Sequence, residues 1–386
     1  MTGLGVDWEQ RVDWDELRRS RTARVQNAMA DAGLDAVLVQ RFGNVRYLTS
    51  ARMFPSVTYV SRYAALLTRE GPCWFFCEPG DLAHTREFMP WIQEVRPWPY
   101  QQDTCVASIV EAISELDLEA GSIGLDDAVA HDLAAGLLSH FPELTLADAA
   151  ETMSSAKQIK SKDEVSVIKA AAELAEVGMY AALSVAGAGR TEAEVAAEMT
   201  KAMIVAGADN LVAFPQVSTS PFRRMASDKR LRSGELLLID VNVSFCGYVG
   251  DMARTTIIGS PSPEQVSLAR AQLEALDAAK NVCNAGARTS DVQTAVARVI
   301  AAHGLENAWH DYLTGHGIGT DDIPFEWPLI GSEGGFDREI TQGMVVALEP
   351  GLFLPGVGVV RNEDMVLVGP EGNDVLTTVP FDERLM

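Results

Sequence analysis

Four acidic side chains interrupt apolar runs where a buried chain has no ordinary use for them, and this restricts the fold more than any other feature. Asp240 closes the run Leu236-Leu237-Leu238-Ile239, and Asp251 follows Gly247-Tyr248-Val249-Gly250 and leads into Thr255-Thr256-Ile257-Ile258. Glu349 ends Met344-Val345-Val346-Ala347-Leu348, and Glu363 lies between Val359-Val360 and Met365-Val366-Leu367-Val368. Such runs read as buried strands. A carboxylate buried at a strand end is costly unless it is paired or ligates a cation. Taken singly, each acid reads as an arginine partner or a loop cap. Taken together with His316, in Thr314-Gly315-His316-Gly317-Ile318-Gly319, they require distant strands to converge on a shared cation.

The donor set narrows the ion. Four carboxylates and one imidazole suit Mn, Fe, Co or Zn, and argue against soft-metal or iron–sulfur use. Two divalent metal ions neutralise four carboxylates and one does not, so a pair is expected. Two ions about 3.5–4 Å apart bridge a water, lower its pKa toward neutrality and polarise a substrate carbonyl.

A chain of 386 residues exceeds one ordinary core. The polar, small-residue stretch from Glu151 to Lys157 marks the change, giving an expected N-terminal domain of residues 1–155 and a C-terminal domain of 156–386. The first contains a helix over 15–32 closed by Gly33, with Val25, Ala28, Met29 and Ala32 at helical spacing. A strand at 36–39, a turn at Gly43-Asn44, a strand pair at 63–67 and 73–77, and helices over 106–116 and 128–138 make it a small α/β domain. In the second, Ser161-Lys162-Asp163-Glu164 is a capping box opening a long helix to about residue 185, which buries Val165, Ile168, Ala172, Ala175 and Met179. Thr191-Glu192-Ala193-Glu194 opens another, ending near Gly207. Strands at 236–240, 255–258, 345–349, 358–360 and 364–368 interleave with helices over 262–284 and 289–303. The class is α/β (α+β), and the two helix pairs suggest an internal duplication.

Charge and cysteine content bound the partners. Fifty-four acids against 31 Lys plus Arg leave a net charge of −23, a field that repels nucleic acid and anionic membrane. A small molecule or short peptide is the expected substrate. The five cysteines, Cys73, Cys77, Cys105, Cys246 and Cys283, form no CxxC pair and fit a reducing compartment. Cys73 and Cys77 share a strand face and read as buried apolar residues. With no leader-like segment and no membrane-length apolar run, the expectation is a soluble cytoplasmic protein.

The same residues resemble a known family, the pita-bread metallopeptidases, the group of aminopeptidase P, prolidase, methionine aminopeptidase and the metal-free creatinase. Leu238-Ile239-Asp240 and, eleven residues on, Asp251-Met252-Ala253-Arg254-Thr255 are similar to its two-aspartate strand pair. Gly315-His316-Gly317-Ile318-Gly319 resembles its metal-histidine loop, and Leu348-Glu349-Pro350-Gly351 and Arg361-Asn362-Glu363-Asp364 resemble its glutamate motifs. Gly43-Asn44-Val45-Arg46-Tyr47-Leu48-Thr49 is similar to part of the creatinase-type N-terminal domain. The resemblance implies that domain followed by a pita-bread domain with a curved antiparallel sheet and flanking helix pairs, assembled as a homodimer. It implies that Asp240 chelates one metal, Asp251 and Glu363 bridge both, and His316 and Glu349 complete the second. It also makes Glu349 the proton acceptor and gives Arg361 the task of orienting Glu363.

The match breaks at the substrate histidines of the family's peptidases. Seven residues after His316 stands Ile323, four before it stands Tyr312, and upstream of Asp240 the chain reads Pro221-Phe222-Arg223-Arg224. A positioned acid–base group contributes about 10²–10⁴-fold, so other residues must substitute: Tyr312, Asp321, Asp322, Glu326 and Arg223 are candidates, with Ile323 and Trp327 as pocket walls. The leading expectation is an Xaa-Pro-type or small-amide hydrolase. The alternative is small-metabolite chemistry on the same scaffold, as in creatine hydrolysis, ectoine-ring hydrolysis or dimethylsulfoniopropionate cleavage, with Asp322 as a lyase base and Trp327 or Tyr312 facing a cation. An inactive binding module is the third reading.

Overall fold

The computed structural model describes residues 11–52, 63–99, 102–211, 216–220, 225–309, 313–320, 326–331 and 337–386. These form two compact units, Asp13–Lys157 and a larger one that gathers Gln158–Met386.

In the smaller unit, helix α1 (Trp14–Ala32) starts where the Asp13 side chain accepts the Glu16 N–H and stops at Gly33, whose φ of 69° a side chain would resist. Its buried face is Leu17, Arg21, Val25 and Met29. The sheet contains β1 (Ala36–Val39), β2 (Ala64–Thr68), β3 (Cys73–Cys77), β4 (Glu94–Pro97), β5 (Ser122–Leu125) and β6 (Thr145–Asp148), in the order β4-β3-β2-β1-β5-β6. The β1–β2–β3 ribbon is antiparallel and the outer pairings are parallel. Alternate residues feed two cores, with Val37 and Phe75 in one and Leu38 and Phe76 in the other. Helices α2 (Phe42–Thr49), α3 (Leu82–Phe88), α4 (Gln102–Glu115), α5 (His131–His140) and α6 (Ala150–Gln158) complete the unit. Gly43 and Asn44 lie inside α2 rather than in the expected turn. The buried Asp126 carboxylate, just after β5, accepts the Gln40 and Arg41 N–H groups and the Asn44 amide, so the approach to α2 is held from far along the chain.

The larger unit opens with α7 (Lys162–Val185) and α8 (Glu192–Ala206), each started by a reciprocal capping box, Ser161 with Glu164 and Thr191 with Glu194. The buried stripe of α7 runs through Val167, Ile168, Ala171, Ala172, Ala175 and Met179, and Val165 lies half-exposed beside it. Strands β7 (Asn210–Leu211) and β8 (Gln216–Ser218) pair with β9 (Leu236–Phe245), which turns back into β10 (Tyr248–Ile257). Both strands are longer than the expected 236–240 and 255–258, so Asp240 and Asp251 sit within a hairpin rather than at strand ends. The turn residues Cys246 and Gly247 both have positive φ, 49° and 84°, and a cysteine in that conformation gives no sequence signal.

Helices α9 (Pro263–Val282) and α10 (Thr289–Ala302) back a second antiparallel sheet of β11 (Gly315–Gly317), β12 (Glu326–Ile330), β13 (Val345–Leu348), β16 (Asp364–Val368) and β17 (Asn373–Val375), in the order β12-β11-β13-β16-β17. Between β13 and β16 lies the hairpin β14 (Leu352–Leu354) and β15 (Gly358–Val360). The larger unit therefore repeats one plan, a helix pair beside an antiparallel sheet. Among the described residues an isolated main-chain bridge joins the two sheets, in which the Glu363 N–H donates to the Ala253 carbonyl at 3.0 Å.

Behind the aspartate-bearing hairpin, β10 lies directly on the α7 backbone. A Cβ at Gly250 would stand 2.1 Å from the Ala171 carbonyl oxygen, a contact no side-chain rotation relieves. Gly250→Ala should therefore lower stability by about 1–3 kcal/mol, the usual range for overpacking. Thermal unfolding measures this, and an unchanged melting temperature would show that helix and hairpin are not in contact.

Candidate metal centre

The hairpin register sets Asp240 opposite Ala253 and Asp251 opposite Asn242. Facing residues of an antiparallel ladder project to the same side, so both aspartates leave one face as diagonal neighbours. The Asn242 amide donates to Asp251 Oδ1. Asn242 drew no notice in the sequence, where nothing marks a strand asparagine as a carboxylate partner.

His316 comes from the second sheet, on β11 between β12 and β13 and opposite Ala347. Glycines on either side allow this: a Cβ at Gly315 would meet the Ala347 carbonyl oxygen at 2.4 Å, and one at Gly317 the Trp327 carbonyl oxygen at 2.2 Å. Nδ1 of His316 lies 3.1 Å from the Gly317 carbonyl. A proton there leaves the Nε2 lone pair directed into the site. Burial pushes the His316 pKa down to about 4, against a smaller upward pull from the Gly317 carbonyl, so the ring is neutral at pH 7. Its Nε2 lies 3.5 Å from both Asp251 Oδ2 and Glu349 Oε1.

Glu349 directly follows β13 and is held by its own N–H, which donates to the Thr314 carbonyl at 2.7 Å. Glu363 precedes β16, and the segment that carries it is irregular but fully tied. The Thr255 hydroxyl accepts the Arg361 N–H at 3.0 Å and donates to the Arg361 carbonyl at 2.9 Å. Asn362 Oδ1 accepts the Thr255 N–H, and its amide donates to Gln272 Oε1 at 2.7 Å. Gln272 in turn donates to the Pro350 and Asn362 carbonyls, stitching both glutamate segments to α9. Its one sequence signal is position, a polar residue on the core-facing stripe of α9 beside Leu268, Ala269, Ala275 and Leu276.

Five sequence-nominated residues, Asp240, Asp251, His316, Glu349 and Glu363, are thus all buried in this region. Ligand atoms of Asp251, His316 and Glu363 lie within 4.8 Å of one another, close to the roughly 3–4 Å that separates ligands of one ion. The guanidinium of Arg361 bonds Asp240 Oδ2 and lies 3.2 Å from Glu349 Oε2. It joins those two carboxylates.

Two observations test whether these residues fit a metal. A neutral imidazole lone pair facing two carboxylate oxygens at 3.5 Å is repulsive without a cation between them. Asp240 Oδ1 is buried with no hydrogen-bond partner, a costly state for a carboxylate oxygen and an ordinary one for a metal ligand. The residues fit.

The substrate-side expectations divide. Tyr312, Asp321, Asp322, Ile323 and Arg223 lie outside the described residues. Trp327, on β12, is half-buried with the Arg338 guanidinium 4.4 Å over its ring. Glu326 is buried, bonded to Lys160 Nζ at 2.9 Å and to the Thr320 N–H at 2.7 Å.

Fold and cluster together define a two-domain metallopeptidase scaffold. Residues 166–370, more than half the chain, match metallopeptidase family M24, and residues 21–159 match the creatinase/prolidase N-terminal domain. The chain belongs to metallopeptidase family M24, whose members use divalent metal. It is 32% identical over 225 residues to a Xaa-Pro dipeptidase of Pyrococcus horikoshii, a match covering 57% of this chain and 62% of that one. The chain thus spans less than two thirds of that relative's length. An uncharacterized peptidase of Staphylococcus aureus is 28% identical over 93% of this chain and 99% of its own. The crystal structure of a prolidase from Thermococcus sibiricus superposes with a TM-score of 0.81 at 25% identity, covering 94% of this chain and 98% of that one.

If the cluster holds metal, Co(II) added to metal-stripped protein should raise its melting temperature. At 100 times the dissociation constant the added stability is about 2.7 kcal/mol. Asp251→Asn should abolish most of that rise. No rise in the unaltered protein would mean that the cluster is not a metal site.

Proposed function

We propose that this chain is a dimetal hydrolase of the aminopeptidase P/prolidase type, cleaving the C–N bond of an Xaa-Pro-like peptide or small amide. The observation that carries this reading is the convergence of Asp251, His316 and Glu363, with Glu349 against the same imidazole. In this reading Asp240, Asp251, His316, Glu349 and Glu363 would hold the ions, with Asp240 toward one and His316 and Glu349 toward the other. The metals are divalent, from among Mn, Fe, Co and Zn. The dipeptidase and prolidase relatives support the substrate class.

Divalent ions there would supply Lewis acidity, easing ionisation of a water and polarising a carbonyl. The chain's own groups do the rest. Glu349 accepts a proton from the attacking water and passes it to the leaving nitrogen. The water oxygen bonds to the carbonyl carbon as the C–N bond breaks, giving a carboxylate and an amine. Arg361, bonded to Asp240 and 3.2 Å from Glu349, keeps that base aligned with the side of the site that Asp240 marks. Asn242 fixes the rotation of Asp251.

A second reading has its own observation. Ile323, Tyr312 and Arg223 stand where family peptidases carry substrate histidines, which favours a small metabolite over a peptide. Cytoplasmic residence and a homodimer belong to the same proposal. The free cysteines support the first, the half-exposed Cys246 among them, and the family resemblance supports the second. No helix among the described residues is long and apolar enough to cross a membrane.

Metal-loaded protein should hydrolyse Xaa-Pro dipeptides, and Asp251→Ala should reduce turnover to background. Turnover of sulfonium, guanidino or cyclic-amidine compounds, with Xaa-Pro peptides untouched, would establish the second reading. Full activity in Asp251→Ala would remove the metal mechanism from both.

A further inference from the structure

Arg254 alternates with Ala253 along β10, so it projects from the face opposite the aspartates. It is nevertheless almost wholly buried, and its guanidinium is fully engaged. One nitrogen donates to the Glu363 carbonyl at 2.6 Å and to the carbonyl of Ala253 at 2.8 Å. A second bonds Asp364 Oδ1 at 2.8 Å, and Nε donates to the Val379 carbonyl at 2.9 Å. The Phe381 ring closes the remaining face, with its centroid 4.7 Å from the guanidinium carbon.

Val379 and Phe381 belong to the segment after β17, which follows no sheet yet is tied down along its length. The Leu376 N–H donates to the Met365 carbonyl at 2.8 Å, and the Thr377 hydroxyl to Asp364 Oδ1 at 3.0 Å. Asp382 accepts the Thr256 hydroxyl at 2.6 Å and the Ile257 N–H at 3.2 Å. Asp364 is shared with Lys280, whose ammonium lies 3.1 Å from Oδ2 and 5.7 Å from the Phe381 ring. A tail whose task was to cover the core would not need to enclose an arginine that holds the Glu363 backbone.

Resting on the metal reading above, we infer that the tail over residues 376–382 is a positioning element. Phe381 and the Val379 carbonyl fix Arg254, and Arg254 fixes the separation of Glu363 from Asp251. The chain of contacts is direct: Glu363 is tied to β10 by its N–H on Ala253 and its carbonyl on Arg254, three residues along from Asp251. Losing the ring loosens the guanidinium, and the two carboxylates then meet the ion less well aligned. Partners of metal ligands typically carry about 10–100-fold in metal affinity.

The test compares four full-length proteins by Co(II) titration calorimetry, the visible absorption of bound Co(II) and thermal unfolding. Phe381→Leu keeps an apolar side chain but loses the π face. It should weaken Co(II) binding by about 10-fold, alter the Co(II) spectrum and lower kcat with KM unchanged. Phe381→Tyr, which retains the ring, should restore all three. Leu385→Ala empties a core position of the same tail away from Arg254, and should lower the melting temperature while leaving Co(II) affinity and spectrum intact. Unaltered Co(II) affinity and spectrum in Phe381→Leu, or equal losses in Leu385→Ala, would overturn the inference. Failure of the unaltered protein to bind Co(II) would instead overturn the metal reading on which it rests.

Discussion

The larger unit depends on the bridge where Glu363 meets Ala253. The two sheets share no other ladder among the described residues, and the two halves of the ligand set come from opposite sides of that crossing. Antiparallel pairing holds facing residues about 5 Å apart. Asp251 lies two positions from Ala253 on the same strand, so the bridge alone brings its carboxylate beside that of Glu363. The β11–β13–β16 registers then set His316 and Glu349 at the same crossing. The site is thus a consequence of how two sheets meet, and a register slip of one residue would turn the aspartates toward α7.

Such a crossing concentrates negative charge in a dry place, and the surroundings answer it in two ways. Cations stand close at hand: Arg361 on Asp240 and Glu349, Arg254 and Lys280 on Asp364. Neutral amides supply further bonds, Gln272 to the Pro350 and Asn362 carbonyls on one side and Asn242 to the Asp251 carboxylate on the other. Buried polar networks of this kind are useful when every member is satisfied, because a low dielectric strengthens each bond and penalises each vacancy. Asp240 Oδ1, left without a hydrogen bond, marks where the protein's own groups stop and a cation is called for.

Features that depend on nearby residues were legible in the sequence, and those set at long range were not. The capping boxes at Ser161 and Thr191 are read within four residues and form as written. The convergence of the buried acids was legible for a different reason: an acid inside an apolar run is costly to bury unless a partner close by offsets that cost. By contrast, β4, β5 and β6 are four-residue strands whose pairing is parallel and distant, and no local pattern announces them. The helix at Phe42–Thr49 looked like a turn because it has no side-chain cap of its own, and the carboxylate that holds its approach, Asp126, follows β5 far along the chain. Arg361 also reaches across the crossing to Asp240, a contact that only the meeting of the two sheets creates and no local pattern announces.

The same geometry accounts for how two residues that the sequence nominated around the site are held. Glu326 was a candidate from its position ten residues beyond His316. Its carboxylate instead faces Lys160, with the two side chains 3% and 1% exposed, and its second oxygen takes the Thr320 N–H. Protonating Glu326 would leave a buried ammonium without its counter-charge, and breaking a buried pair costs about 3–5 kcal/mol. That cost keeps the Glu326–Lys160 pair intact as a tie between the start of α7 and the loop after β11. Trp327, the next residue, presents its ring to the Arg338 guanidinium 4.4 Å away. Glu349, by contrast, stands against the imidazole on one side and Arg361 on the other, so its carboxylate faces the same crossing as the aspartates.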